Sequence, residues 1–251
     1  MKRLISSTLL LSASLYAGTI NIAVAANVSY AIDDLKKEFN KTNPDTKVRV
    51  ILGSSGKLTA QITHGAPYQV FMSANMKYPN SLYEKNLAIS KPTVYAKGSL
   101  ALLSSKKTDF SKGLEILKDK SIRKIAIANP KTAPYGIASI QALKNAQLYK
   151  EVKPKFVYGE SISQTVAYAS RVTDMGIIAK SSLYSPKMKA FKEDINWKEI
   201  DSKLYTPISQ GIVILKQGKN NKEVKAFYDF ILSNKAKEIF KTYGYQLPWI
   251  H

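Results

Sequence analysis

The chain has 251 residues, 38 Lys and Arg against 18 Asp and Glu, a net charge of +20 and no cysteine. The lack of cysteine excludes disulfides, thiolate metal ligands and a lipoprotein anchor. Only four arginines occur, and the lysines are scattered, as at Lys36-Lys37 and Lys235-Ala-Lys237, so no basic block or Arg-rich stripe points to nucleic acid. The charge reads as a solvated lysine surface with weak long-range attraction for small anions.

Met1-Lys2-Arg3 is a basic start, and Leu4 to Tyr16 is an apolar run broken only by serines and a threonine. It is too short to span a bilayer and reads as a secretory signal peptide, residues 1–17. Ala23-Val24-Ala25 also fits a cleavage rule. Cutting there would delete a strand-like run at Ile20–Ala25, so cleavage after Ala17 and an exported, periplasmic chain are expected.

Strand-like and helix-like stretches then alternate, which predicts an α/β fold. A helix over Tyr30–Asn40 carries Ile32, Leu35 and Phe39 on one face and stops at Asn43-Pro44. A strand at Lys47–Leu52, a helix at Lys57–Thr63, a buried strand at Gln69–Ala74 and a short helix around Ser81–Lys85 come next. Ser99–Ser104 and Lys124–Ala128 read as strands separated by a helix at Ser111–Lys118. Beyond them lie a helix over Ile137–Gln147, strand Phe156–Tyr158, helix Ser161–Val172, and strands Met175–Ala179 and Ile208–Lys216. Helices Lys222–Ser233 and Lys235–Tyr243 and an apolar tail, Leu247–Ile250, close the chain. Two lobes would comprise residues 18–98 with 205–251, and 99–204, hinged at crossovers near Lys97–Leu103 and Tyr205–Val213.

Catalytic chemistry finds little support. His64 and His251 have no carboxylate neighbour, and zinc, P-loop and dinucleotide patterns are missing. No cofactor is expected. The binding signal is positional: four short polar loops each follow a strand and open a helix, where free N–H groups and the helix dipole favour an anion. Loop one is Ala25–Ser29, with Asn27 offering its amide and its backbone N–H. Loop two is Gly53-Ser-Ser-Gly56, with the Ser55 hydroxyl. Loop three, Asn129–Gly136, ends in Pro-Tyr-Gly, and loop four is Gly159–Ile162, where Ser161 and Gln164 suit a capping box. Any one of these is more often a simple cap. All four at strand C-termini, where open α/β sheets bind ligands, describe a cage for an oxyanion.

Several segments of the chain resemble the periplasmic molybdate-binding proteins of ABC importers: Gly53-Ser-Ser-Gly-Lys-Leu58, Gly65-Ala-Pro67, Val70-Phe-Met-Ser-Ala74, Asn129-Pro-x-x-Ala-Pro-Tyr-Gly136, Gly176-Ile-Ile-Ala-Lys-Ser181, Ala226-Phe-Tyr-Asp-Phe230 and Ile239-Phe-Lys-x-Tyr-Gly244. The resemblance implies a type II periplasmic binding protein, with two lobes of sheet and flanking helices that close over molybdate or tungstate. It also implies a monomer that delivers its ligand to an inner-membrane permease. By correspondence, the ligand donors are Ala26, Asn27, Ser55, Tyr135 and Ile162. One branch of that family has a serine in loop one and a tyrosine where this chain has Ala179. Tyr135 resembles the other branch, so a tyrosine hydroxyl reaches the ligand from loop three or not at all, with Lys180 a minor candidate. Asn75, where many members have an acid, either favours the anion or caps the next helix. Receptors for sulfate, thiosulfate or phosphate remain rivals, as do a secreted hydrolase and an accessory protein that signals without transport.

Overall fold

The structure is a computed structural model and describes residues 18–247. The signal-peptide reading, His251 and most of the apolar tail lie outside the described residues. β1 (Thr19–Ala25), α1 (Ile32–Asn40), β2 (Lys47–Gly53), α2 (Ser55–Thr63), β3 (Val70–Ser73), α3 (Lys77–Glu84) and β4 (Thr93–Gly98) come first. The chain then runs through β5 (Leu100–Leu103), β6 (Ile125–Ala128), α4 (Pro134–Asn145), α5 (Tyr149–Val152), β7 (Phe156–Gly159), α6 (Ile162–Arg171), β8 (Met175–Ala179) and β9 (Trp197–Glu199). It ends with β10 (Ile208–Ile214), α7 (Lys222–Leu232) and α8 (Asn234–Thr242).

These strands form two five-stranded sheets, in the orders β2-β1-β3-β10-β4 and β7-β6-β8-β5-β9. Each sheet mixes both pairings: β1 runs parallel to β2 and β3, while β10 is antiparallel to β3 and β4. In the second sheet β6 is parallel to β7 and β8, and β5 is antiparallel to β8 and β9. The interior strands are mostly apolar, as expected where helices cover both faces. Ile20, Ile22, Ala23 and Val24 of β1 are fully buried, so a chain cut after Ala25 would lose an interior strand.

Register decides where the four loops emerge. Ala25 lies opposite Gly53, and Ala128 lies opposite Gly159. Parallel pairing in those registers brings loops one and two out side by side at one end of the first sheet, and loops three and four likewise at the second. Only Ser99 separates β4 from β5, so the chain changes sheets there and returns between Glu199 and Ile208.

Several sequence expectations shift. Ala26–Tyr30 is a 3-10 turn, and α1 starts only at Ile32. α2 and α4 begin earlier than their apolar periodicity, at Ser55 and at Pro134 in the first turn. The helix expected over Ser111–Lys118 is a 3-10 segment, Gly113–Lys118, entered through Gly113 at φ +52°. β4 is a full strand where the sequence suggests only a crossover, and the three-residue β9 is too short to carry a sequence signal.

The first lobe's core centres on helices α1, α7 and α8 against the sheet. Phe39 packs edge-on to Phe227 at 5.2 Å between centroids, and Phe240 lies 5.2 Å from Tyr95 and 5.4 Å from Tyr245. Ser233 accepts a hydrogen bond from the Ala236 N–H at 3.3 Å, ending α7 and capping α8. Because Phe227 is fully buried, Phe227→Ala should destabilise the protein by about 3–5 kcal/mol. Urea denaturation would check this, and a loss below about 1 kcal/mol would contradict the packing described.

Candidate functional site

Loop one leaves β1 as a buried turn. Asn27 is fully buried, and its Nδ2 donates to Gln210 Oε1 at 2.8 Å and to Tyr245 Oη at 3.0 Å. The Tyr245 hydroxyl in turn donates to the Asn27 carbonyl at 2.9 Å. Both amide hydrogens of Asn27 are therefore engaged by protein, and its Oδ1 is buried with no hydrogen-bond partner. In this arrangement the side chain does not offer the free amide donor that the sequence suggested.

Loop two places Ser54 at the N-cap of α2 and Ser55 in its first turn. Ser55 Oγ accepts from the Ala74 N–H at 2.9 Å, which joins loop two to the end of β3 and leaves the hydroxyl proton free to donate. Ser54 Oγ is buried without a partner. Loop three puts Ala133 at the N-cap of α4 and Tyr135 in the first turn. Tyr135 is buried, and its hydroxyl accepts from Gln210 Nε2 at 3.2 Å. Loop four caps α6: Ser161 Oγ accepts from the Gln164 N–H at 3.3 Å, and Gln164 Oε1 accepts from the Glu160 N–H at 2.7 Å. That is the expected capping box, displaced by one residue on the return bond. It leaves Ile162 at the first position of the helix.

All five residues named from the sequence, Ala26, Asn27, Ser55, Tyr135 and Ile162, line one hollow. Ser54, Ala74, Ala133 and Pro134 also border it. The hollow is small: the space between its lining atoms comes to about 190 Å³ even with the open solvent at its mouth included, below the roughly 300–1,000 Å³ of sites for organic ligands. None of its lining residues is Asp, Glu, Lys, Arg or His. The field at its centre comes instead from the N-termini of α2, α4 and α6, which converge there from both lobes.

The lobes touch around this hollow. The Gly56 N–H donates to the Thr132 carbonyl at 2.9 Å, and Ser163 Oγ donates to the Ala26 carbonyl at 2.8 Å. Gly56 is required at that crossing, since a Cβ there would lie 2.8 Å from Tyr78 Oη and 2.9 Å from the Thr132 carbonyl oxygen. Lys57 pairs with Glu160 across the outer edge. The pair is exposed and worth at most about 1 kcal/mol, but it neutralises the one carboxylate carried by the four loops.

Three further positions named from the sequence can be placed. Lys180 turns away from the site and pairs with Glu199 at 2.5 Å. Burial pulls its pKa down, but the Glu199 hydrogen bond and charge outweigh that and leave it raised. Ala179 is a buried core residue of β8. Asn75, one residue before the N-cap Met76 of α3, accepts from the Tyr78 N–H in the first turn at 3.4 Å and does not line the hollow. Gln210, fully buried in β10, is a functional candidate that the sequence reading does not reach. The available signal was an amide, beside Ser209, in a strand otherwise of isoleucine, valine and glycine, Ile208-Ser-Gln-Gly-Ile-Val-Ile214.

Burial is the largest cause pushing the phenol pKa values of Tyr95, Tyr135 and Tyr245 upward. All three stay protonated across the physiological range. Their folded values exceed the unfolded value of about 10, so the unfolded chain loses these protons first as pH rises. The stability they contribute is complete below about pH 10 and is lost above it. The urea midpoint should therefore fall between about pH 9.5 and 11, and fall less steeply in Tyr95→Phe. An identical profile in that variant would contradict the assignment.

Two mixed sheets joined by short crossovers, with helix N-termini from both facing a small hollow, define a two-lobed solute-binding protein. The match to a family model extends over residues 20–246, and the chain belongs to that family, the bacterial extracellular solute-binding proteins. A molybdate-binding protein of Azotobacter vinelandii is 35% identical over 242 residues, covering 95% of this chain and 94% of that protein. One from Rhodobacter capsulatus is 34% identical, covering 91% and 88%. The solved structure of the Azotobacter vinelandii periplasmic molybdate-binding protein superposes with a TM-score of 0.84 at 30% identity, over 92% of this chain and all of that one. The fold is that of the type II periplasmic binding proteins, as the resemblance implied.

Proposed function

We infer that this chain captures molybdate, and tungstate with it, in the periplasm and delivers it to an ABC-type permease. The observation that carries the reading is the small hollow, walled by uncharged residues and three helix N-termini contributed by two lobes. A dianion without ionisable protons needs donors only. Hydrogen bonds to a charged group contribute about 1.5–3 kcal/mol each, so a handful of convergent donors supports tight binding with no counter-charge. The relatives' specificity supports molybdate among the oxyanions. Ala26, Asn27, Ser55, Tyr135 and Ile162 are the proposed contacts, with main-chain N–H groups supplying most of the bonds. Entry requires the lobes to part, and the contacts between Gly56 and Thr132 and between Ser163 and Ala26 re-form on closure. No chemical step is proposed.

Phosphate is disfavoured because receptors for a protonated oxyanion commonly detect the proton with a carboxylate acceptor. Glu160, the one carboxylate of the four loops, is outside the hollow and held by Lys57.

A thermal-shift panel with molybdate, tungstate, sulfate, phosphate and chromate tests the reading, since ligand that binds only the folded state raises the melting temperature. Molybdate and tungstate alone should produce a large rise, and an equal or larger rise with sulfate would overturn the assignment. Ser55→Ala should weaken molybdate binding by about 10- to 100-fold, the loss of one hydrogen bond to a charge. It should also destabilise the empty protein by about 1–3 kcal/mol, because the Ala74 N–H loses its buried acceptor. Asn27→Ala carries a similar structural cost.

A further inference from the structure

Behind the hollow, one side-chain amide ties the two lobes together. Gln210 Oε1 accepts from Asn27 Nδ2 at 2.8 Å and from Tyr95 Oη at 2.8 Å, while Gln210 Nε2 donates to Tyr135 Oη at 3.2 Å. Asn27 and Tyr95 belong to the first sheet's lobe and Tyr135 to the second. Gly98, at the crossover, makes room for this junction, since a Cβ there would collide with the Tyr135 hydroxyl and lie 2.8 Å from Gln210 Nε2.

The hydrogen bonding of this cluster has one defect. Asn27 commits both amide hydrogens to Gln210 and Tyr245, and its Oδ1 is a fully buried acceptor with no partner, on a residue that lines the hollow. A carbonyl oxygen turned toward an anion repels it, and an unsatisfied buried acceptor is itself unfavourable.

A single concerted change repairs both faults at the cost of one bond: Tyr245 Oη, 3.0 Å from the turned atom, no longer receives a hydrogen bond from Asn27 and shares its one proton between the Asn27 carbonyl and Oδ1. If the Asn27 and Gln210 amides each turn by half a rotation, Gln210 Nε2 donates to Asn27 Oδ1 and to Tyr95 Oη. Tyr95 still has the Ser73 carbonyl, 3.4 Å away, for its own proton. Tyr135 changes from receiving a hydrogen bond to donating one, to Gln210 Oε1. Asn27 Nδ2 then stands where Oδ1 stood, as a donor for an oxyanion. Neither amide can turn alone, because that would set two oxygens or two NH₂ groups against each other across the 2.8 Å contact.

Resting on the reading that the hollow binds an oxyanion, we propose that Gln210 is a positioning residue for that ligand: a coupled turn of the Gln210 and Asn27 amides converts the Asn27 side chain from an acceptor to a donor toward the bound anion. Because the same amide holds Tyr135 of the other lobe, the turn links the ligand's charge to the junction between lobes. A cation in the hollow would favour the present orientation and an anion the turned one, so the cluster also contributes to the choice of ligand sign.

The test is ¹⁵N-edited NMR of the wild-type protein, with the two side-chain amides assigned by their loss in Asn27→Asp and Gln210→Glu. Without anion, the Gln210 amide protons should show Overhauser contacts to the Tyr135 ring. At saturation with molybdate, these contacts should pass to the Tyr95 ring and the Asn27 side-chain amide protons should move downfield. Contacts that remain with Tyr135 at saturation overturn the proposal, as do contacts that are already with Tyr95 in the empty protein. Calorimetry gives a second readout: Gln210→Glu, which can only accept when ionised, pins Asn27 in the repelling orientation and should weaken binding by about 10- to 100-fold. Gln210→Met, which leaves Asn27 free to turn, should lose less. The reverse order would show a merely structural role. Saturation by sulfate with the same amide turn would sink the molybdate reading and leave this proposal standing. No binding by any oxyanion would sink both.

Discussion

Parallel pairing with Ala25 against Gly53, and with Ala128 against Gly159, is the constraint on which the rest depends. A strand pair in parallel register sends both chains out of the sheet at the same end, and each must then turn into its crossover helix. The first turns of α2, α4 and α6 therefore arrive with unsatisfied N–H groups at a common level. A slip of one residue in either register would move Ser55 or Ile162 out of the hollow and invert the core faces of β1 or β6. The site is a by-product of the sheet's geometry, and the loops need only be short and polar enough not to obstruct it.

That origin explains the electrostatics. The chain carries a net charge of +20, yet the residues lining the hollow include no lysine or arginine. Surface lysines act at long range and are screened within about 8–10 Å at physiological ionic strength. They raise the chance of encounter with an anion but cannot hold it. Holding falls to oriented dipoles that are already in place when the ligand arrives and need no counter-ion removed. Lys57, which directly follows loop two in sequence, is neutralised by Glu160, so the closed site gains an edge contact between lobes without a net charge beside it.

The sequence revealed the alternation of elements and the four loops because both depend on short-range signals: apolar period, caps and turn residues. Boundaries slipped where helices open with residues that carry no apolar period. Ser55-Gly56 and Pro134-Tyr135-Gly136 are helical in the structure but read as loop, and Tyr135 consequently changed from a loop residue to a buried first-turn residue. Gln210 was illegible for a different reason. Its partners lie 183, 115 and 75 residues away, and no local pattern tells a buried amide that joins three elements from a polar interruption in a strand. Lys180 shows the converse error: proximity in sequence to a presumed site suggested a role, while β5–β9 pairing brought Glu199 within its reach.

The residues around the hollow serve stability and binding at once, and this limits how the site can vary. Ser55 holds the end of β3, Asn27 and Tyr245 lock loop one, and Tyr135 meets Gln210 at the crossover. Such double use is expected where main-chain N–H groups do most of the binding, because a main-chain donor can be aimed only by fixing the chain that carries it. Side chains near the anion are then recruited to hold backbone. The buried tyrosines suit that task, since phenols kept protonated by burial give and receive hydrogen bonds without adding charge. Replacing any of them by an ionisable group would place a titrating charge beside the ligand. A neutral cage therefore demands a neutral support, and the cluster of Asn27, Tyr95, Tyr135, Gln210 and Tyr245 supplies it.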